Sequence, residues 1–221
     1  MQVQKLLKTF SVAGVLGAMA FGAQADTMYN TTITSTTANL FGNSVAYDNF
    51  ALTTVGTVEL GLRARYRVRP TQASDDAGNY GPFDAGTQTA AYGSPARDDR
   101  AEWSYDFYLM DSSAPSGYSY LLCVNSQCVN PLSFSDNVGS LSTGLGNSMQ
   151  LFFAGTPGNA GYDVNAAGVN TFSLSVSDAN GVLLGSTVIT ATVVAVPEPE
   201  TYAMLLAGLG VMGFLARRRK V

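Results

Sequence analysis

From Glu59 to Arg69 the chain alternates without a break. Leu60, Leu62, Ala64, Tyr66 and Val68 fall on one face, and Arg63, Arg65, Arg67 and Arg69 fall on the other. A period of two belongs to a β-strand, whose successive side chains point to opposite sides. Pro70 closes the run, because proline has no N–H to give to a sheet ladder. A second run repeats the pattern: Trp103, Tyr105, Phe107 and Leu109 alternate with Glu102, Ser104, Asp106 and Tyr108. An aromatic row therefore faces a core while a mostly polar row faces away. Two such strands commit the chain to sheet packing.

Shorter runs extend the sheets. Residues 29–58 alternate Thr, Ser and small apolar side chains, as one or two strands would. Residues 71–99 are polar and rich in turn formers, which predicts a long hairpin or loop with one short strand around Asn79–Phe83. Ser119–Val124 and Cys128–Phe134 read as a hairpin, and Met149–Phe153 as a further strand. Thr171–Ser177 and Val182–Val196 flank Asp178-Ala179-Asn180-Gly181, where Asn-Gly favours the positive φ angles of a type I′ turn. Seven to nine short strands at this spacing predict an all-β fold, an antiparallel sandwich of Ig-like or jelly-roll-like kind.

Cysteine usage fits that frame. With Asn125-Ser126 as a two-residue turn, Val124 faces Gln127 and Cys123 faces Cys128. An opposed pair in an oxidising compartment forms a disulfide. The C-x4-C spacing and the absence of a basic neighbour do not suit a redox thiol. With no histidine anywhere in the chain, two cysteines also make a poor zinc site.

Both ends read as addresses rather than fold. Lys5 and Lys8, the apolar run Phe10–Gly22 and Ala23-Gln24-Ala25 have the layout of a secretory signal, so the mature chain is expected to begin at Asp26. At the other end, Pro197-Glu198-Pro199 precedes an uncharged stretch, Tyr202–Ala216, and then Arg217-Arg218-Arg219-Lys220. As a helix those 15 residues reach roughly 22 Å, short of the roughly 30 Å hydrocarbon core. Local thinning and snorkelling of the flanking arginines close such a gap, and the four cations stay cytoplasmic. The expected domains are a signal peptide at 1–25, a β-sandwich at 26–195 and a sorting segment at 196–221. Within the last, a transmembrane helix is expected at about 202–216 and a basic tail at 217–220.

The ordered triple of prolyl motif, apolar helix and arginine-rich terminus, behind a signal peptide, resembles the PEP-CTERM proteins. The resemblance implies recognition and cleavage by an exosortase near Pro197-Glu198-Pro199, with transient residence in the inner membrane. It also implies a Gram-negative host that makes exopolysaccharide, and delivery to the cell surface or extracellular matrix. The body is similar to a domain that recurs in PEP-CTERM proteins. In that group an arginine-alternating strand precedes a run like Trp103-Ser-Tyr-Asp-Phe107. Asp163-Val-Asn165-Ala-Ala-Gly168-Val-Asn-Thr-Phe172 and Ser177-Asp-Ala-Asn-Gly181 follow the same pattern. The group implies no particular activity.

Charge narrows the partners. Between Asp26 and Glu200 six arginines stand against all 16 acids, so that span carries −10 beneath an overall −4. Nucleic acid is excluded as a partner, because phosphate binding needs a basic surface.

Within that acidic body Arg63, Arg65, Arg67 and Arg69 admit two readings. They can contact carboxylate, sulfate or phosphate groups of an anionic extracellular polysaccharide. They can instead pair across the sheet with Glu102 and Asp106. Asp75, Asp76, Asp98 and Asp99 sit in polar loops and are the candidate Ca²⁺ ligands, though no EF-hand spacing is present. Asp178-Ala-Asn180-Gly181 resembles the start of such a loop without its closing glutamate. No other cofactor is implied. Catalysis has little to work with: there is no His-based triad and no phosphate-binding loop. The expectation is a non-enzymatic protein of structural, adhesive or glycan-binding role. The alternatives are a secreted carbohydrate-active enzyme using paired carboxylates such as Glu102 and Asp106, and a permanently membrane-anchored periplasmic protein.

Overall fold

The computed structural model describes residues 25–42, 45–67, 72–88, 97–114, 117–151, 155–196 and 199–218. The signal peptide expected at 1–25 lies outside the described residues except for Ala25, and the first strand follows two residues later. Along the chain, β1 (Thr27–Thr31) is joined by a long segment to β2 (Phe50–Val55) and β3 (Val58–Tyr66). Next come β4 (Asn79–Asp84), the small ribbon of β5 (Thr87–Gln88) and β6 (Arg97–Ala101), and β7 (Trp103–Asp111). Three hairpins follow: β8 (Ser119–Val124) with β9 (Gln127–Val129), β10 (Val138–Ser140) with β11 (Gly144–Met149), and β12 (Gly168–Ser177) with β13 (Leu183–Val194). The helix α1 (Pro199–Arg218) ends the described chain.

These strands form two packed sheets, in the orders β1-β2-β3-β7-β11-β10 and β4-β13-β12-β8-β9. The ladders are antiparallel except for β4 beside β13, which is parallel. The architecture is the sandwich that the alternation predicts. Its interior holds Leu60, Leu62 and Ala64 of β3 and Trp103, Tyr105, Phe107 and Leu109 of β7. Opposite them lie Phe172, Leu174, Ile189 and Leu122 of the second sheet, all buried. Phe83 stacks on Trp103 at 5.4 Å between ring centroids, and Tyr105 meets Phe172 at 4.7 Å, so aromatic pairs cross from sheet to sheet.

The outer face of the first sheet is where expectation and structure part. The arginine row of β3 and the polar row of β7 do not face solvent. The segment between β1 and β2 folds back across them as a third layer, closing a second cluster of Ile33, Leu40, Phe41, Phe50, Leu52 and Tyr108. Two glycines on that face make room for it. A Cβ at Gly61 would lie 3.2 Å from the Phe50 ring, and one at Gly146 would lie 3.0 Å from the Phe41 ring.

Smaller differences have local causes. The cysteine hairpin closes at Val129 rather than Phe134, because Asn130 caps a 3-10 turn, Pro131–Ser133, by accepting from Leu132 N. The strand expected at Met149–Phe153 lies earlier, at Gly144–Met149, and residues 152–154 are outside the described residues. The β12–β13 turn is not type I′: Gly181 alone of its residues has positive φ. The Asp178 carboxylate accepts from the amides of Asn180 and Val182, holding a wider loop in place of a two-residue turn.

Candidate functional site

Arg63 and Arg65 leave the same side of β3, two residues apart, and Asp106 stands opposite Arg63 on β7. All three are buried, with 0%, 4% and 0% of their surface exposed. Arg63 Nε donates to Asp106 Oδ2 at 2.8 Å, and Arg65 Nε donates to the same oxygen at 2.7 Å. Arg63 Nη2 also lies 2.7 Å from Oδ2 as an ion pair, but not in line for a hydrogen bond. Arg63 Nη1 donates to the backbone oxygens of Ala46 and Asp48 at 2.8 and 2.7 Å. Its guanidinium lies over the Phe50 and Phe41 rings at 4.3 and 5.1 Å. The covering segment therefore grips Arg63 through carbonyls and ring faces together.

Electrostatics follow from that packing. Burial pushes the Asp106 carboxyl up, but the neighbouring guanidiniums of Arg65 and Arg63 outweigh it and hold it below the ordinary carboxylate value. Burial draws the Arg63 guanidinium below its usual range, against the pull of Asp106. Asp106 is thus an ionised anchor and cannot serve as a proton donor. Glu102 is buried as well. The outward ladder imagined from the alternation is corrected for Arg63 and Arg65, which the third layer covers. Arg67 remains half-buried at the edge of that layer, and Arg69 lies outside the described residues.

The other candidates are placed as follows. Asp75 accepts from the amides of Ala77 and Asn79 and from the Asn79 side chain, which lowers its pKa. Asp178 is engaged in its own turn in the same way. Both carboxylates serve their turns. Among the described residues no three His, Cys, Asp or Glu side chains gather as a metal site. Cys123 faces Cys128 across the β8–β9 ladder with Val124 opposite Gln127, and the two cysteines form a disulfide.

Residues that the sequence did not single out complete the arginine site. Asp48 reaches Arg63 Nη1 at 3.6 Å, and Asn39, Phe41, Asn147 and Ser148 border a cavity of about 340 Å³ beside Arg65 and Arg67. They come from two distant stretches, 39–48 and 147–148, and the third layer lays the first against the sheet that carries the second.

At the C-terminus, β13 is paired on both sides, with β12 and β4, and the chain leaves it at Val194. Five residues later α1 begins. Met204, Leu206 and Met212 are 73%, 69% and 68% exposed, so the helix holds apolar side chains away from the sandwich. No helix among the described residues is long and apolar enough to cross a membrane. The helix expected at about 202–216 lies within α1, which also takes in Glu200, Arg217 and Arg218 on either side of that uncharged run. Pro197, Glu198, Arg219 and Lys220 lie outside the described residues.

No curated protein and no solved structure matches the chain. A family model described as the PEP-CTERM protein-sorting motif matches residues 195–220, beginning one residue after β13 ends. The chain therefore carries a PEP-CTERM protein-sorting motif at its C-terminus, which implies an exported protein sorted by an exosortase.

Proposed function

We propose that this chain is a non-catalytic protein of the cell surface or extracellular matrix. It is retained at the inner membrane by its C-terminal segment, cut near Pro197–Glu200 and released as a folded sandwich. One observation carries the reading: the sorting motif follows directly on a strand paired on both sides, while the helix beyond it is exposed. A cut in that short connection separates the address from the body without opening either sheet. Asp106 speaks against paired-carboxylate hydrolysis with Glu102 through its placement: it is fully buried with Oδ2 held by both Arg63 and Arg65, away from any glycosidic bond it would have to flank.

Mass spectrometry of the protein recovered from the host surface tests this. The mature chain should begin at Asp26 and end before α1, and an exosortase-deficient host should retain the uncut form. Recovery from cytosol with Arg217–Lys220 intact would refute the proposal. Incubation with the host's own polysaccharide should release no reducing ends.

A further inference from the structure

We propose that the cavity beside Arg65 and Arg67 binds the carboxylate of a uronic acid unit in an anionic polysaccharide. The choice of ligand rests on the surface or matrix reading above. The site itself rests on the geometry of Arg65.

That guanidinium is held unevenly. Nε meets Asp106 at 2.7 Å, the length of a strong charge-assisted bond. Its outer edge is held far less closely: Nη1 lies 3.3 and 3.4 Å from the carbonyls of Tyr66 and Arg67. Nη2 lies 3.4 Å from the carbonyl of Phe41 and 3.1 Å from Ser148 Oγ. All four partners are neutral, and the one carboxylate on Arg65 is an oxygen it shares with Arg63. Arg63 has Asp48 as a second carboxylate, and among the described residues Arg65 has none. The loosely held edge belongs to the residue that borders the cavity.

The cavity wall suits an anion. About 340 Å³ falls within the span of small-ligand sites. Arg67 brings a second guanidinium to the same wall, and no carboxylate lines it among the described residues. In a span carrying −10, a cleft with two cations and no acid is a local exception. Asn39, Asn147 and Ser148 supply donors and acceptors for sugar hydroxyls, and the exposed Val138 supplies apolar surface. A carboxylate at the outer edge of Arg65 would replace the 3.3–3.4 Å carbonyl contacts of Nη1 and Nη2 with the bidentate geometry that guanidinium offers.

The test is calorimetric titration of the full exported chain with galacturonate and with oligogalacturonate, beside a neutral glucose oligomer. The acidic oligomer should bind, more weakly as salt rises, and the neutral one should not. Arg67→Gln and Asn147→Asp should each weaken binding at least about tenfold, the first by removing a charged donor and the second by adding a like charge. Neither change touches the Asp106 bracket, so thermal unfolding should stay near the wild-type temperature. Should Arg67→Gln fail to fold, Asn147→Asp on half-buried β11 decides alone. Absence of oligogalacturonate binding, equal binding of the neutral oligomer, or wild-type affinity in the folded variants would overturn the site. A protein that is exported and cut but binds no uronate sinks this inference alone. One that binds uronate yet stays in the cytosol sinks the surface reading instead.

Discussion

Arg63 stands directly across the β3–β7 ladder from Asp106, and its Nε and Nη2 both lie within 2.8 Å of one carboxylate oxygen. Arg65 reaches that oxygen from two residues along the strand. The arrangement sits under a polypeptide layer where water cannot replace a lost partner. Asp106→Asn would leave two buried guanidiniums with no buried counter-charge, and such broken pairs lose about 3–5 kcal/mol. Urea unfolding at neutral pH measures it. Replacing the whole cluster, as Arg63→Met, Arg65→Met and Asp106→Leu together, should lose much less, because apolar side chains of similar volume carry no desolvation penalty.

The same carboxylate sets the acid limb of stability. Its pKa in the folded chain lies below the ordinary 3.8, so folding favours the ionised form. The contribution is full above the unfolded value and is lost as pH falls through the folded one. Urea midpoints should hold steady down to about pH 5 and then decline. Asp75 and Asp178, also shifted downward in their turns, act in the same direction. In Asp106→Asn the decline should be shallower; an identical acid limb would assign the effect to other carboxylates.

Phe41 is the keystone of the covering layer. It is 4% exposed and packs on Phe50 and Tyr47 at 5.3 and 5.7 Å between centroids, with the Arg63 guanidinium on its face. Phe41→Ala should destabilise by about 3–5 kcal/mol, the range for a buried phenylalanine. Trp103 lies in the other core, so native tryptophan fluorescence should not change. A loss below about 1 kcal/mol would mean that the segment does not seal the outer face.

The two readable strands are also where sequence reasoning went furthest and where it stopped. Alternation in β3 and β7 locates both strands and their inner rows, because a period of two leaves little freedom once one face is buried, and the Asn125-Ser126 turn places Cys123 opposite Cys128. It does not say whether the other face is wet. The covering segment has no period; Ile33, Leu40, Phe41 and Tyr47 are spaced irregularly among Thr, Asn and Ser. A signal existed nevertheless. In β2 Phe50 and Leu52 fall on one face and Ala51 on the other, so apolar side chains on both sides pointed to cover on each side. Tyr108 on the outer row of β7 pointed the same way. The cavity beside Arg65 was illegible, since its wall comes from residues about a hundred positions apart.

The Cys123–Cys128 disulfide closes a very small loop on a hairpin already paired in register. Loop-closure entropy for six residues amounts to about 2 kcal/mol. The double variant Cys123→Ser, Cys128→Ser should lose no more than this and should keep the same far-ultraviolet circular dichroism. A larger loss would mean that the bridge organises more than its own turn.

The exposed helix and the paired strand before it make opposite demands on the same short connection. β13 contributes Ile189, Ala191 and Val193 to the interior, so a cut within it would open the second sheet. Beyond Val194 the chain owes little to the sandwich, and Met204 to Gly213 are exposed along their length. A protein ending at Val196 should therefore unfold within about 0.5 kcal/mol of the full chain, the margin for changes to exposed residues. One ending at Thr187 should not fold, because it lacks the β13 residues that pair with β4 and with the first part of β12. Urea unfolding of the two shortened chains beside the full one tests whether sorting can discard the address and keep the fold. If the Val196 form were markedly less stable, the helix would belong to the body, and its removal on the way out of the cell would unfold what it was meant to deliver.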